Sequence, residues 1–297
     1  MSQILLENAG LPNPIPFYVR AVSGSNTYKE GDALPDLCSE WKDFSFDKKI
    51  LDSYKKICEI KEDGIPLLFP HSFLGPLHLQ MMTHETFPLK LLGSIHHRNH
   101  VIQYKPLSVD RKYHVILKFA DIRRRPQGLE FDLVTSIKFD GETHWESVTT
   151  ILVRRKLKDE DSASPLEGSI EAFEGNGREA TTFKVKSSTG KKFGLITKDI
   201  NPIHMSGILA KLFGFKRDLA HGMWALGRGT ANLLAEMPSD SPIRMDVAFK
   251  GPVYMRDKVR VNNSVQNPGQ FKFFSGKNDR PSIVGVLKKV DSSESLV

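Results

Sequence analysis

Only two cysteines occur in 297 residues, Cys38 and Cys58. They make no metal-ligand spacing, and such sparse usage fits reduced thiols in a cytoplasmic protein. No run approaches the roughly 18 consecutive apolar residues that a membrane helix needs, so no membrane insertion is expected. The start, MSQILLENAGLPNPIPFYV, lacks a basic stretch followed by an apolar core and a small-residue cleavage site, which argues against secretion. Zinc-finger spacing, a basic zipper and an aromatic–basic RNA-binding signature are also missing. The net charge of +7 suits nucleic acid, an anionic surface or a phosphate-bearing small molecule. Its basic residues are scattered, however. The densest run, IRRRP at 122–126, is explained as well by an exposed turn between strands as by a binding patch. Nucleic acid is not the expected partner.

What is present is a chain of 39% hydrophobic and 26% charged residues, the balance of a soluble globular protein with one large or two ordinary domains. The stretch 157–179 is acidic, rich in Ser and Gly, and weakly apolar, and reads as a surface linker. It separates two halves of similar organisation, residues 1–160 and 161–297. In the second half, Met205, Ile208, Leu209, Leu212 and Phe213 fall at helical spacing after Pro202, with Gly214 as a stop. A second helical stretch spans 223–237. Ile243, Met245, Val247 and Phe249 then alternate as a strand, with further strands expected near 257–266, 270–275 and 282–290. The first half has a short apolar helical stretch at 73–82, then alternating strands at 113–119, 129–133 and 145–153.

The halves share residues. Residues 101–115 align without gaps onto 247–261, matching Val101 to Val247, Pro106 to Pro252, Lys112 to Lys258 and Val115 to Val261. GPLH (75–78) resembles NPIH (201–204). Two matches in the same order favour duplication over chance. The first half is the shorter, by about one helix with its loops. A central helix followed by a long antiparallel sheet, occurring twice, predicts an α+β fold with each helix wrapped by its own sheet.

TKDINPIH, residues 197–204, is the chemically dense stretch. Asn201 suits a helix N-cap, and Pro202 at the first helical position needs no amide donor. His204 then lies in the first turn and Asp199 in the incoming loop. Both can converge in front of the helix N-terminus and hold one water at hydrogen-bond distance. The positive helix end disfavours imidazolium, so His204 is expected neutral, as a base needs. Spacing alone leaves an acid–base site and a capped helix start evenly matched.

The segment 193–224, FGLITKDINPIHMSGILAKLFGFKRDLAHGMW, resembles the signature of the MaoC-like dehydratases, the (R)-specific enoyl-thioester hydratases of the hot-dog fold. Phe193, Asp199, Asn201, Pro202, His204, Ala220, His221 and Gly222 match its pattern, D-x-N-P-x-H followed by A-H-G. The resemblance implies a double hot-dog fold and a lyase that adds water reversibly to a trans-2-enoyl thioester, giving an (R)-3-hydroxyacyl thioester. Asp199 and His204 would activate the water. The backbone N–H of Gly222 would stabilise the enolate-like oxygen, although a tight helix-entry turn also explains that glycine. Asn201 would cap the helix and support the site. No cofactor is implied, because coenzyme A or phosphopantetheine arrives as part of the substrate, on acyl-CoA or an acyl-carrier protein.

One residue departs from the pattern. The family has Gly just before the aspartate, and this chain has Lys198. Lys198 either favours an ionised Asp199 or reaches a substrate phosphate. Lys216 and Arg217 are further phosphate-binding candidates, with a solvated loop as the equal alternative. If GPLH mirrors NPIH, Phe73 stands for the aspartate and Gly75 for the asparagine, leaving His78 alone. The first half is then catalytically empty and free to accommodate the acyl chain. His96, His97 and His100, with His71 and His84, form no recognised metal motif, and no metal is expected. A hot-dog thioesterase and a non-catalytic acyl-thioester-binding subunit are the alternative functions. A homodimer is compatible with a fold whose sheet edges recur as interfaces.

Overall fold

The alternating stretches become long strands. The computed structural model describes residues 3–297 except 25, 158–160, 162, 165, 171, 176 and 238–240. Eleven strands among them form one sheet: β1 (Ile4–Glu7), β2 (Leu37–Phe44), β3 (Ile95–Gln103), β4 (Tyr113–Arg125), β5 (Gly128–Phe139), β6 (Glu142–Arg154), β7 (Arg178–Lys184), β8 (Ile243–Phe249), β9 (Lys258–Asn263), β10 (Gln270–Ser275) and β11 (Ile283–Lys289). On β4, Tyr113, Val115 and Leu117 are buried, while His114, Ile116 and Lys118 are less so, the two-residue period of a strand with one face on a core. The expected linker carries described pieces: Asp161 binds the Arg124 side chain, and β7 begins at its end. The expected boundary at 160/161 lies partly outside the described residues, since residue 160 is not among them.

The strand order is β1-β2-β4-β5-β6-β3-β8-β11-β10-β9-β7. Beyond β1, the order runs outward from the β3–β8 junction in the same way on both sides. β6 pairs with β11 in role, β5 with β10, β4 with β9, and β2 with β7. The junction is antiparallel, with His100 opposite Asp246 in register. There the His100 Nδ1 lies 2.7 Å from the Asp246 carboxylate, which also accepts from Arg244 Nε at 2.9 Å, all three side chains being buried.

Seven helices lie among the described residues. α2 (Lys48–Cys58) and α3 (His71–Met82) belong to the first half; α4 (Thr189–Thr197) and α7 (Gly222–Ala235) occupy the same places in the second. α3 seats Leu74, Leu77 and Met81 in the core, and α7 seats Trp224, Ala225 and Leu226. Each fully buried Leu or Met side chain contributes about 1.5–3 kcal/mol. Trp224 of α7 donates its indole N–H to Ile57 O of α2 at 3.0 Å, tying the halves together. Three further helices have no counterpart: α1 (Ile15–Ser23), α5 (Pro202–Met205) and α6 (Gly207–Leu212). No helix among the described residues is long and apolar enough to cross a membrane.

Three expectations are corrected here. GPLH lies inside α3, whose place is that of α7, so it is not the counterpart of NPIH in α5. Short strings with proline and histidine matched by chance, whereas the match of 101–115 to 247–261 follows the true equivalence of β3 with β8. The helix after Pro202 breaks at Ser206, which is extended (φ −151°, ψ 131°), and its apolar stripe does not face the core: Ile208 and Leu212 are 76% and 77% exposed. The run at 122–126 is not an exposed turn. Arg123–Arg125 complete β4, and each arginine meets a carboxylate, Asp132, Asp161 and Glu167 respectively. Arg217, the phosphate-binding candidate beside Lys216, is engaged within the chain. It binds Met255 O and the Asp257 carboxylate, with its guanidinium 5.1 Å from the Tyr254 ring centroid.

Candidate active site

α4 ends because Lys198 adopts the left-handed conformation, φ 58° and ψ 14°. That turn directs Asp199 back along the helix. The approach is close: a Cβ on Gly194 would lie 2.6 Å from Asp199 O. The backbone here does need a positive φ, and a lysine supplies it where glycine would do so without strain. Lys198 itself is exposed.

The Asp199 Oδ1 accepts from the Tyr18 hydroxyl at 2.8 Å and from the Asn201 N–H at 3.3 Å. Asn201 is the N-cap, its side-chain oxygen accepting from Ile203 N–H at 3.3 Å, and Pro202 follows at the first helical position. His204 therefore sits in the first turn, as the spacing requires. Its Nδ1 is 3.0 Å from Leu219 O. A carbonyl can only accept, so Nδ1 carries the proton and Nε2 keeps a lone pair. By the same reasoning His221 donates from Nε2 to Asp199 O at 3.0 Å. The His204 and His221 rings stack with centroids 3.7 Å apart, and His221 Nε2 is 3.6 Å from Asp199 Oδ2.

Burial governs the electrostatics. It pushes His204 down to about 3, helped by His221 and opposed by Asp199 and the Leu219 carbonyl. His221 is lowered as well, again by burial first. The neutral imidazole was expected from the helix end, but α5 is a four-residue turn, and burial is the larger cause. Burial would raise Asp199, yet His221, His204, the Tyr18 hydroxyl and the Asn201 amide together hold it below the usual carboxylate range. The site thus pairs an ionised carboxylate with a neutral imidazole. One donor atom from each of Asp199, His204 and His221 lies within 4.8 Å of the others, close enough to share a water or a small cation. A carboxylate with two imidazoles is a donor set that a metal accepts, although two of the four ring nitrogens already donate to carbonyls.

Gly222 opens α7 directly after His221. A Cβ there would fall 2.7 Å from the Phe249 ring, so close packing requires the glycine whatever else its N–H does. Phe249 in turn packs on His96 of β3, ring centroids 4.8 Å apart. His96 is pushed down to about 4 by burial, and it lies near enough to Asp199 to feel the carboxylate charge. The five-residue HHRNH run disperses: His97 meets Glu130 at 2.7 Å and His100 meets Asp246. His78 lies 3.5 Å from Thr135 Oγ1 in the first half. Gly75 does approach the site, since a Cβ on it would be 3.8 Å from Asp199 Cβ. Lys216 is exposed on the loop after α6. Sequence reasoning missed Tyr18 and His96. Tyr18 lies 181 positions before Asp199 and carries no local signal, whereas His221 was visible in A-H-G without a role of its own.

Residues 171–279 match the family model described as MaoC like domain. The 3-hydroxyacyl-thioester dehydratase X of Mycobacterium tuberculosis is 26% identical to this chain over 246 residues, 82% of this chain and 86% of that protein. The crystal structure of HtdX from Mycobacterium tuberculosis superposes with a TM-score of 0.72 at 23% identity, covering 85% of this chain and 100% of that one. A MaoC-like dehydratase from Phytophthora capsici gives 0.64 at 15% identity over 85% and 94% of the two chains. The fold is the hot-dog fold of these dehydratases.

Proposed function

We propose that this chain, whose residues 171–279 form a MaoC-like domain, is a 3-hydroxyacyl-thioester dehydratase acting reversibly as an enoyl-thioester hydratase. The observation that carries the reading is the convergence of Asp199 and His204, with one ligand atom of each within 4.8 Å of the other, while the Tyr18 bond falls on Asp199 Oδ1 and the Leu219 bond on His204 Nδ1. In the hydration direction, water donates one hydrogen bond to each. The pair takes a proton as the water oxygen bonds to C3 of the trans-2-enoyl thioester. The C2–C3 π electrons move toward the thioester carbonyl, and the oxygen gains negative charge. The Gly222 N–H is the proposed donor to that oxygen. Proton return to C2 completes an (R)-3-hydroxyacyl thioester, and the reverse sequence expels water. Asn201 supports the site by fixing the turn and by donating its N–H to Asp199.

The two repeats divide the work. Residues 161–297 carry the chemistry, while residues 1–160, which present Gly75 and His96 toward it, accommodate the acyl chain. Lys198 and Lys216 remain the candidates for a phosphate on coenzyme A or a carrier-protein arm. A panel of short, long and branched enoyl-CoA and enoyl-carrier-protein substrates, with chiral analysis of the products, tests the reading. Hydration to the (R) product is expected. Free thiol without hydration would make the protein a thioesterase, and tight binding without turnover a binding subunit.

A further inference from the structure

α1 is a helix with no fully buried residue, and it reaches a site that belongs to the other half of the chain through Tyr18. Ile15, Val19 and Val22 point outward and are largely exposed. Its specific polar tie to the site is the 2.8 Å hydrogen bond from the Tyr18 hydroxyl to Asp199 Oδ1. Ala21 packs against the core and holds the helix in place, but the partner of the part-buried Tyr18 hydroxyl is the carboxylate.

A carboxylate with two equivalent oxygens can rotate and present either to substrate. Here Oδ1 already accepts two hydrogen bonds, from Tyr18 and from the Asn201 N–H. Oδ2 lies on the side of His221 Nε2, at 3.6 Å. We infer that Tyr18 is a positioning residue for Asp199: its hydroxyl holds Oδ1, so that Oδ2 alone is presented to the reacting water, and the carboxylate stays ionised under a seated α1. The inference rests on the dehydratase reading for what the carboxylate does, and on geometry alone for the tie. The groups facing the carboxylate are Tyr18 from α1, His204 from α5, His221 at the head of α7 and His96 from β3. Both His204 and His221 are depressed by burial, so Asp199 Oδ1 is served by two neutral donors, the Tyr18 hydroxyl at 2.8 Å and the Asn201 N–H at 3.3 Å, of which the hydroxyl is the shorter and the one a side-chain substitution removes.

The test is Tyr18→Phe, which removes one oxygen and keeps the ring. Loss of a hydrogen bond to a charged group predicts a fall in kcat of about 10- to 100-fold, with KM nearly unchanged. The acid limb of the kcat profile should move to higher pH, because Asp199 loses a partner of its ionised form. Independently of turnover, the stability of the variant should fall less steeply with pH through the carboxylate range than that of the wild type in acid unfolding, because the folded and unfolded affinities of Asp199 for a proton then differ less. Wild-type kcat and an unshifted acid limb in Tyr18→Phe, with only a lowered Tm, would make Tyr18 a mere anchor for α1 and overturn the inference. If the wild type turns over no enoyl thioester, it is the dehydratase reading that fails, while the acid-unfolding comparison still decides the tie.

Discussion

The two halves of this chain differ most in one connection. α2 and α4 both end on a left-handed residue that is not glycine, Glu59 at φ 54° and Lys198 at φ 58°. From there the first half reaches α3 through residues 59–70, while the second takes residues 198–221 to reach α7. The longer path holds α5 and α6 together with Asp199, Asn201, His204 and His221. The duplicated frame supplies sheet, core and central helix twice, and the candidate chemistry sits in the stretch present once. On this comparison the first half has not lost a dyad. It has no equivalent segment in which to hold one.

The comparison breaks first on activity. His204→Gln should lower kcat by about 10²- to 10⁴-fold, the span of a general acid–base group. His78→Gln, the histidine once paired with it by string similarity, should stay within about threefold. Steady-state kinetics on one enoyl-CoA decides it, and equal losses would contradict the separation of roles.

Stability in acid sharpens the comparison, because both halves bury neutral histidines. His78 is pushed down to about 3 and His96 to about 4, against about 3 for His204. Between those values and 6.5 the unfolded chain binds more protons than the folded one, so stability rises with pH. It is fully present above 6.5 and is lost progressively as pH falls toward 3. Asp199, also depressed, adds a loss in the same direction as pH falls through its folded value. Denaturant midpoints measured from pH 7 to 4 should fall, and less steeply in His78→Gln. An unchanged slope would mean that His78 titrates normally.

The smallest expected effect concerns the shared helix ends. Lys198→Gly and Glu59→Gly should each relieve a left-handed side chain. The gain is a net ~0.5 kcal/mol after the glycine's extra unfolded freedom. Thermal melts should rise by about 1–2 °C in Lys198→Gly and by less in Glu59→Gly, which also gives up the ion pair of Glu59 with Arg228. A raised KM in Lys198→Gly alone would assign Lys198 to substrate phosphate, a role the matching Glu59 cannot share.

The sequence carried much of this in local patterns. Two-residue alternation located β4, β5, β6 and β8, and the order of residues in D-x-N-P-x-H located the cap and the pair. Helical periodicity over 205–213 was real, but a period says which residues share a face, not what covers it, and Ser206 splits the helix. β3 was hidden because its polar residues, among them His96, His97 and His100, resemble ligands more than a strand. The partners of His97 and His100, Glu130 and Asp246, come from strands far away in sequence. Tyr18 was unreadable for the same reason, since nothing near it marks a tyrosine whose partner is in the other half.

Asp199 and His204 are proposed to activate water for attack on an enoyl thioester. The most direct test is hydration of crotonyl-CoA by wild type and Asp199→Asn, followed by loss of enoyl absorbance with free thiol monitored in parallel. The account predicts hydration without thiol release by the wild type, and a loss of at least about 10²-fold in the folded variant. Wild-type rates in Asp199→Asn would contradict it.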